Sequence, residues 1–81
     1  MPKTAEDEPA PERRVAFGLR LRRLRTEADL SQTAVASAAG LDRSYYAHVE
    51  AGRYSISIDK VFKIADALKV DPSHLFVDLS N

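Results

Sequence analysis

The 81-residue sequence contains no cysteine and no tryptophan. Without cysteine there is no disulfide framework and no thiolate metal site. The two histidines, His48 and His74, stand far apart with no ligand spaced to join them, so no metal site is expected. No apolar run approaches the roughly 20 residues of a membrane span, and the acidic, polar N-terminus has no apolar signal segment. The expectation is a soluble, intracellular, cytoplasmic protein. Nucleophile–base spacing, a glycine-rich phosphate cradle and a metal constellation are all missing, so neither an enzyme nor a cofactor or small-molecule ligand is expected. Glycine is scarce (three residues), and three of the four prolines fall at Pro2, Pro9 and Pro11.

Net charge is also missing, since twelve basic residues balance twelve acidic ones. The distribution is uneven. Residues 1–12 set Lys3 against Glu6, Asp7, Glu8 and Glu12, a net of −3. Residues 13–53 set eight arginines against Glu27, Asp29, Asp42 and Glu50, a net of +4. Residues 54–81 carry three lysines against four aspartates, a net of −1. A regional cationic excess governs phosphate binding more than the whole-chain sum does. Residues 1–11 read as a disordered acidic arm that masks the basic face, and residues 12–81 as a single folded domain.

Periodicity then predicts an all-α domain of five helices. Phe17, Leu21, Leu24 and Ala28 form one stripe of a first helix over about residues 12–28, entered at Pro11. Ser31 caps a second, residues 32–39, which Gly40 ends in a left-handed conformation, and Leu41 fills the space between helices. Asp42 caps a third, residues 43–51, closed by Gly52. On this helix Tyr46, Val49 and Glu50 share one arc, Arg43, Ser44, Ala47, His48 and Ala51 the opposite one, and Tyr45 the flank. Ser57 caps a fourth, residues 58–69, with Ile58, Val61, Ile64, Ala65 and Leu68 inward. Pro72 starts a short fifth helix. Two short helices bent at Gly40, the second with a polar face, are how a protein presents a helix to the major groove.

The ordered set Leu21-Arg22-x-Leu24-Arg25, Leu30-Ser31-Gln32, Val35-Ala36, Gly40-Leu41, Tyr46, Val49-Glu50-x-Gly52-Arg53, Ile58, Val61, Ile64-Ala65-x-Ala67-Leu68-x-Val70 and Leu75-Phe76 closely resembles the phage repressor and Cro-like family of helix-turn-helix regulators. It runs over about residues 14–78 without a gap. The resemblance implies a compact phage-repressor-like fold with the helix-turn-helix at helices 2 and 3. It also implies an ion pair between Arg25 and Glu50 that fixes the recognition helix and offers the guanidinium to a phosphate. Many members carry proline where this chain has Ile56, so the loop after the third helix is expected to differ.

On that docking geometry, Arg43, Ser44, Tyr45 and His48 are expected to read bases, with arginine suited to guanine. Ser31, Gln32, Arg25, Arg53 and Tyr54 are expected to meet phosphates. The other arginines of the first helix are expected to be mostly solvated. Phe76, Val77 and Leu79 cannot all point inward from one short helix, so they are assigned to a two-fold interface. The resulting expectation is that residues 12–81 bind DNA and dimerise, making a nucleoid-associated, homodimeric, sequence-specific regulator on pseudo-palindromic double-stranded DNA. A compact member of this kind resembles the controller proteins of restriction–modification systems, with autoregulation. A phage-type repressor, an antitoxin-like autorepressor, and a protein-interaction module on the same fold are the competing readings.

Overall fold

A computed structural model describes residues 11–79. The expected acidic arm lies outside the described residues except for Pro11, the first residue of α1. Four α-helices follow in order: α1 (Pro11–Glu27), α2 (Gln32–Ala39), α3 (Arg43–Glu50) and α4 (Ile58–Leu68). The described residues contain no strand. The expected fifth α-helix is a correction: Pro72–Phe76 is a single 3-10 stretch. Asp71 caps it tightly on the Ser73 amide (2.9 Å), and His74 closes an i→i−3 bond on the Asp71 carbonyl (2.9 Å). Val77 is then extended and Asp78 turns left-handed (φ 63°), so the chain leaves before an α-turn can form.

The caps explain why the helices begin and end where they do. Ser31, Asp42 and Ser57 each accept from the amide three residues on, at 3.0, 3.2 and 3.3 Å. All four helices close with the same paired bonds around one left-handed residue: Asp29, Gly40, Gly52 and Lys69. At the α2 end, for example, Gly40 donates to Ser37 (3.1 Å) and Leu41 to Ala36 (2.8 Å). This is the arrangement that satisfies orphan carbonyls and turns the chain sharply. Ala51 and Lys69, expected inside α3 and α4, are their C-caps.

α2 packs against both α3 and α4, while α1 lies across α3 and the 3-10 stretch. The core comprises Phe17, Leu21, Val35, Ala36, Ala39, Tyr46, Val49, Val61, Ile64, Ala65, Leu68 and Leu75. Ala36, Ala39 and Ala65 are buried small residues that let the helices approach closely. Two members of the expected stripes face water. Ala28 lies past the end of α1, and Ile58, at the first turn of α4, is 61% exposed.

The tightest approach is between α1 and the end of α3. A Cβ on Gly18 would overlap the Glu50 carbonyl oxygen and come within 2.9 Å of the Val49 one. A Cβ on Gly52 would come within 2.7 Å of the Val15 Cα. Backbone therefore meets backbone, and Arg14 Nε donates to the Gly52 carbonyl at 3.3 Å. Arg20 Nε likewise donates to the His74 carbonyl at 2.7 Å. Thus Arg14 and Arg20 cap other elements rather than only facing solvent.

The two kinds of glycine predict different costs. Gly18→Ala forces α1 off α3 and is expected to lose about 2 kcal/mol or more. Gly40→Ala meets nothing within 4 Å and is expected to lose only the left-handed penalty, about 1 kcal/mol. Thermal unfolding of both variants checks the order, and equal losses would contradict it.

Candidate nucleic-acid interface

Glu50, the last residue of α3, is the only buried charged residue among those described. Arg25 reaches it from α1 with two parallel bonds, Nε to Oε2 at 2.8 Å and Nη2 to Oε1 at 2.9 Å. Gln32 Nε2, at the first turn of α2, donates to Glu50 Oε1 at 3.0 Å. Arg25 Nη1 donates to the Leu30 carbonyl at 2.9 Å. One carboxylate therefore ties α1, the following turn and α2 to the end of α3. The side chains are nearly dry, with 13% of Arg25 and 4% of Glu50 exposed.

Burial alone raises the Glu50 carboxyl. The hydrogen bonds from Arg25 and Gln32 outweigh it, and the carboxyl is held below its ordinary value. Tyr46 sits beneath this pair. Its hydroxyl is buried without a hydrogen-bond partner, and burial pushes its pKa upward, so the phenol stays neutral.

With Tyr46, Val49 and Glu50 committed inward, the opposite arc of α3 is left to solvent. Arg43 and Ser44 are exposed, and Tyr45, Ala47 and His48 are half-buried. Ser31 is exposed beside them, its hydroxyl accepting the α2 cap bond. Gln32, Arg25, Arg22, Ala47 and Ala51 line one shallow concavity between α1 and α3.

Along the outward flank of α3, side chains gather that the sequence did not place together. The Tyr45 and Tyr54 rings stack at 5.8 Å between centroids, 18° apart. His48 meets Tyr54 edge-on at 5.3 Å. Arg53 Nη1 donates to His48 Nδ1 at 3.3 Å. Lys60 of α4 sets its ammonium 4.5 Å from the Tyr45 ring centroid. Sequence reasoning missed Lys60, whose only visible signal was its place three residues after the Ser57 cap.

The three expected interface residues lie on two faces. Phe76 packs on Phe17 (5.4 Å between centroids) and lines a groove with Leu79, Ile58 and Tyr54. Val77 instead lines a separate concavity with Ala16, Leu19 and Arg23. Among the described residues there is no cluster of metal-ligating side chains, and no helix is long and apolar enough to cross a membrane.

A family model described as helix-turn-helix matches residues 21–75. Control protein C.MunI of a Mycoplasma species is 39% identical over 67 residues, covering 82% of this chain and 90% of the relative. Control protein C.BamHI of Bacillus amyloliquefaciens is 35% identical over 63 residues, covering 76% and 78%. Among solved structures, the restriction-modification controller protein C.AhdI from Aeromonas hydrophila superposes with a TM-score of 0.77 at 48% identity, covering 78% of this chain and 96% of that one.

The Glu50 environment predicts an acid response. Its folded pKa lies below the unfolded value of about 4.3. The stabilisation is therefore complete above that value and is lost as pH falls through the folded pKa. Glu50→Gln is expected to lose about 3 kcal/mol at neutral pH by leaving Arg25 poorly paired. Between about pH 4.5 and pH 2 its stability should fall less steeply than wild type. Urea unfolding across pH 2–7 measures both, and parallel curves would contradict the assignment.

Proposed function

Because the chain belongs to the helix-turn-helix family and is a DNA-binding transcriptional regulator, we propose that it acts as a homodimeric controller protein that reads a pseudo-palindromic operator with α3 and regulates its own expression. The observation that carries this reading is the division of α3. One arc is locked inward by Arg25 and Gln32 on Glu50, and the other offers polar side chains on a helix that cannot rotate. A fixed helix with a polar outer arc suits the major groove, where base edges differ in their donors and acceptors.

In this reading Arg43, Ser44, Tyr45 and His48 face the bases. Arg43 has no side-chain bond among the described residues that it would have to break to meet guanine. Ser31, Gln32, Arg53 and the Tyr54 hydroxyl face phosphates. Arg25 contributes with the two of its five donors not used by Glu50 and Leu30. The +4 balance of residues 13–53 supplies the attraction that the whole chain lacks.

In this reading the dimer contact uses the groove where exposed Ile58 and Phe76 and half-buried Leu79 adjoin over the buried Phe17 ring. A two-fold axis there sets each Phe76 against the partner's copy of the same groove. Val77, on the other face, is left out of it. Dimerisation makes operator occupancy steeply dependent on protein concentration, which suits a regulator that senses its own accumulation. The competing roles, a phage-type repressor and an antitoxin-like autorepressor, use the same surfaces.

Three variants test these assignments. In binding-site selection, Arg43→Ala is expected to lose preference at one base pair per half-site, worth about 1–3 kcal/mol. Arg53→Ala is expected to weaken all sequences alike and to flatten the dependence of log K on log salt by about 1 per protomer. An unchanged preference for Arg43→Ala would overturn the readout, and absence of any discrete site at moderate salt would favour a protein-interaction module. Phe76→Glu is expected to be monomeric by sedimentation at concentrations where the wild type is dimeric; an unchanged dimer would move the interface elsewhere.

A further inference from the structure

The cluster on the outward flank of α3 draws in residues from beyond the helix. Tyr54 is 47% exposed and follows the helix in a loop, yet its ring contacts two side chains of the outward face of α3, Tyr45 by stacking and His48 by its edge. Lys60 comes from α4 and rests on the Tyr45 ring. Arg53 holds the Nδ1 side of His48, which leaves the ring proton of a neutral His48 on Nε2. The loop after α3 and the α4 helix thus converge on two side chains that the sequence itself separates by a turn of helix. Tyr45, partly packed on the core, and the half-buried His48 are thereby held from the outward side as well.

We propose that Tyr54 and Lys60 are positioning residues for base recognition: they set the Tyr45 and His48 side chains in one arrangement before DNA is met. The proposal rests on the reading that Tyr45 and His48 face bases. It differs from a phosphate role for Tyr54, because stacking needs the ring and a phosphate contact needs the hydroxyl. A side chain ordered in advance loses less entropy on binding, and an incorrect base pair then meets a group that cannot turn away. Discrimination, rather than general affinity, is the quantity this cluster governs. Lys60 acts in the same sense by holding Tyr45 through a cation–π contact, and so brings α4 into recognition.

The test is binding-site selection with a randomised half-site, run on the full-length protein with thermal unfolding as the control for folding. Tyr45→Ala and His48→Ala first identify the base pairs these residues read. Tyr54→Ala is then expected to lower discrimination at those same base pairs by about three- to ten-fold. Tyr54→Phe keeps the ring and loses the hydroxyl, so it is expected to keep the wild-type preference profile whatever its overall affinity. Lys60→Met, which keeps the stem and loses the charge, is expected to lower discrimination at the Tyr45 base pair by about two- to five-fold. An unaltered profile for Tyr54→Ala overturns the proposal, as does a profile that Tyr54→Phe changes as much as Tyr54→Ala. If Tyr45→Ala and His48→Ala themselves leave the profile unaltered, the base-reading assignment falls and the positioning role falls with it.

Discussion

The structure turns on one buried carboxylate. Glu50 closes α3 and takes hydrogen bonds from α1 and α2, so the position and rotation of α3 are set by charge-assisted bonds rather than by apolar contact alone. Apolar packing of Tyr46 and Val49 would permit small slides of a helix only eight residues long. A bidentate guanidinium does not, because both of its bonds must be kept at once. Taking such a pair out of water costs solvation that a hydrophobic pair would not. What the pair contributes is orientation, and orientation is what a helix entering a groove requires.

That clamp depends on how close α1 lies to α3. Gly18 and Gly52 remove the side chains that would hold the two backbones apart, and Arg14 bonds across the same contact. The left-handed residue at Gly52 turns the chain so that Arg53 and Tyr54 return along the outer side of α3. The same turn thus serves the inner contact and the outer surface. Glycine at these two places, the Arg25 pair and the aromatic cluster form one continuous arrangement around α3, with holding groups on one side and solvent-facing side chains on the other.

Much of this was legible in the sequence because it is written in local chemistry. Ser31, Asp42 and Ser57 lie where short polar side chains reach backbone amides, and Gly40 and Gly52 lie where only glycine turns left cheaply. Other features depend on packing that no local pattern carries. Asp29 and Lys69 occupy the equivalent left-handed positions although neither is a glycine, so no glycine marks the ends of α1 and α4. Pro72 and its cap signal the start of a helix at the 3-10 stretch but say nothing about the extended Val77 that ends it. Ile58 fits the apolar spacing of α4, but the first turn of that helix projects past the core. Of the site residues, the pairing of Arg25 with Glu50 was accessible only through family resemblance, and Lys60 on Tyr45 was not accessible, since 15 residues and a helix cap separate them.

The central claim is that α3 is held ready by its inner arc before it meets DNA. Native-state amide hydrogen exchange reads this directly. If the clamp sets the helix, the amides of Tyr46, Val49 and Glu50 in the free protein exchange only through global unfolding, tracking the full stability as denaturant is varied. Operator DNA then leaves their opening mechanism unchanged. Exchange of these amides through a local opening well below the global free energy, with protection acquired only on the operator, would mean that DNA orders α3, and would contradict the account.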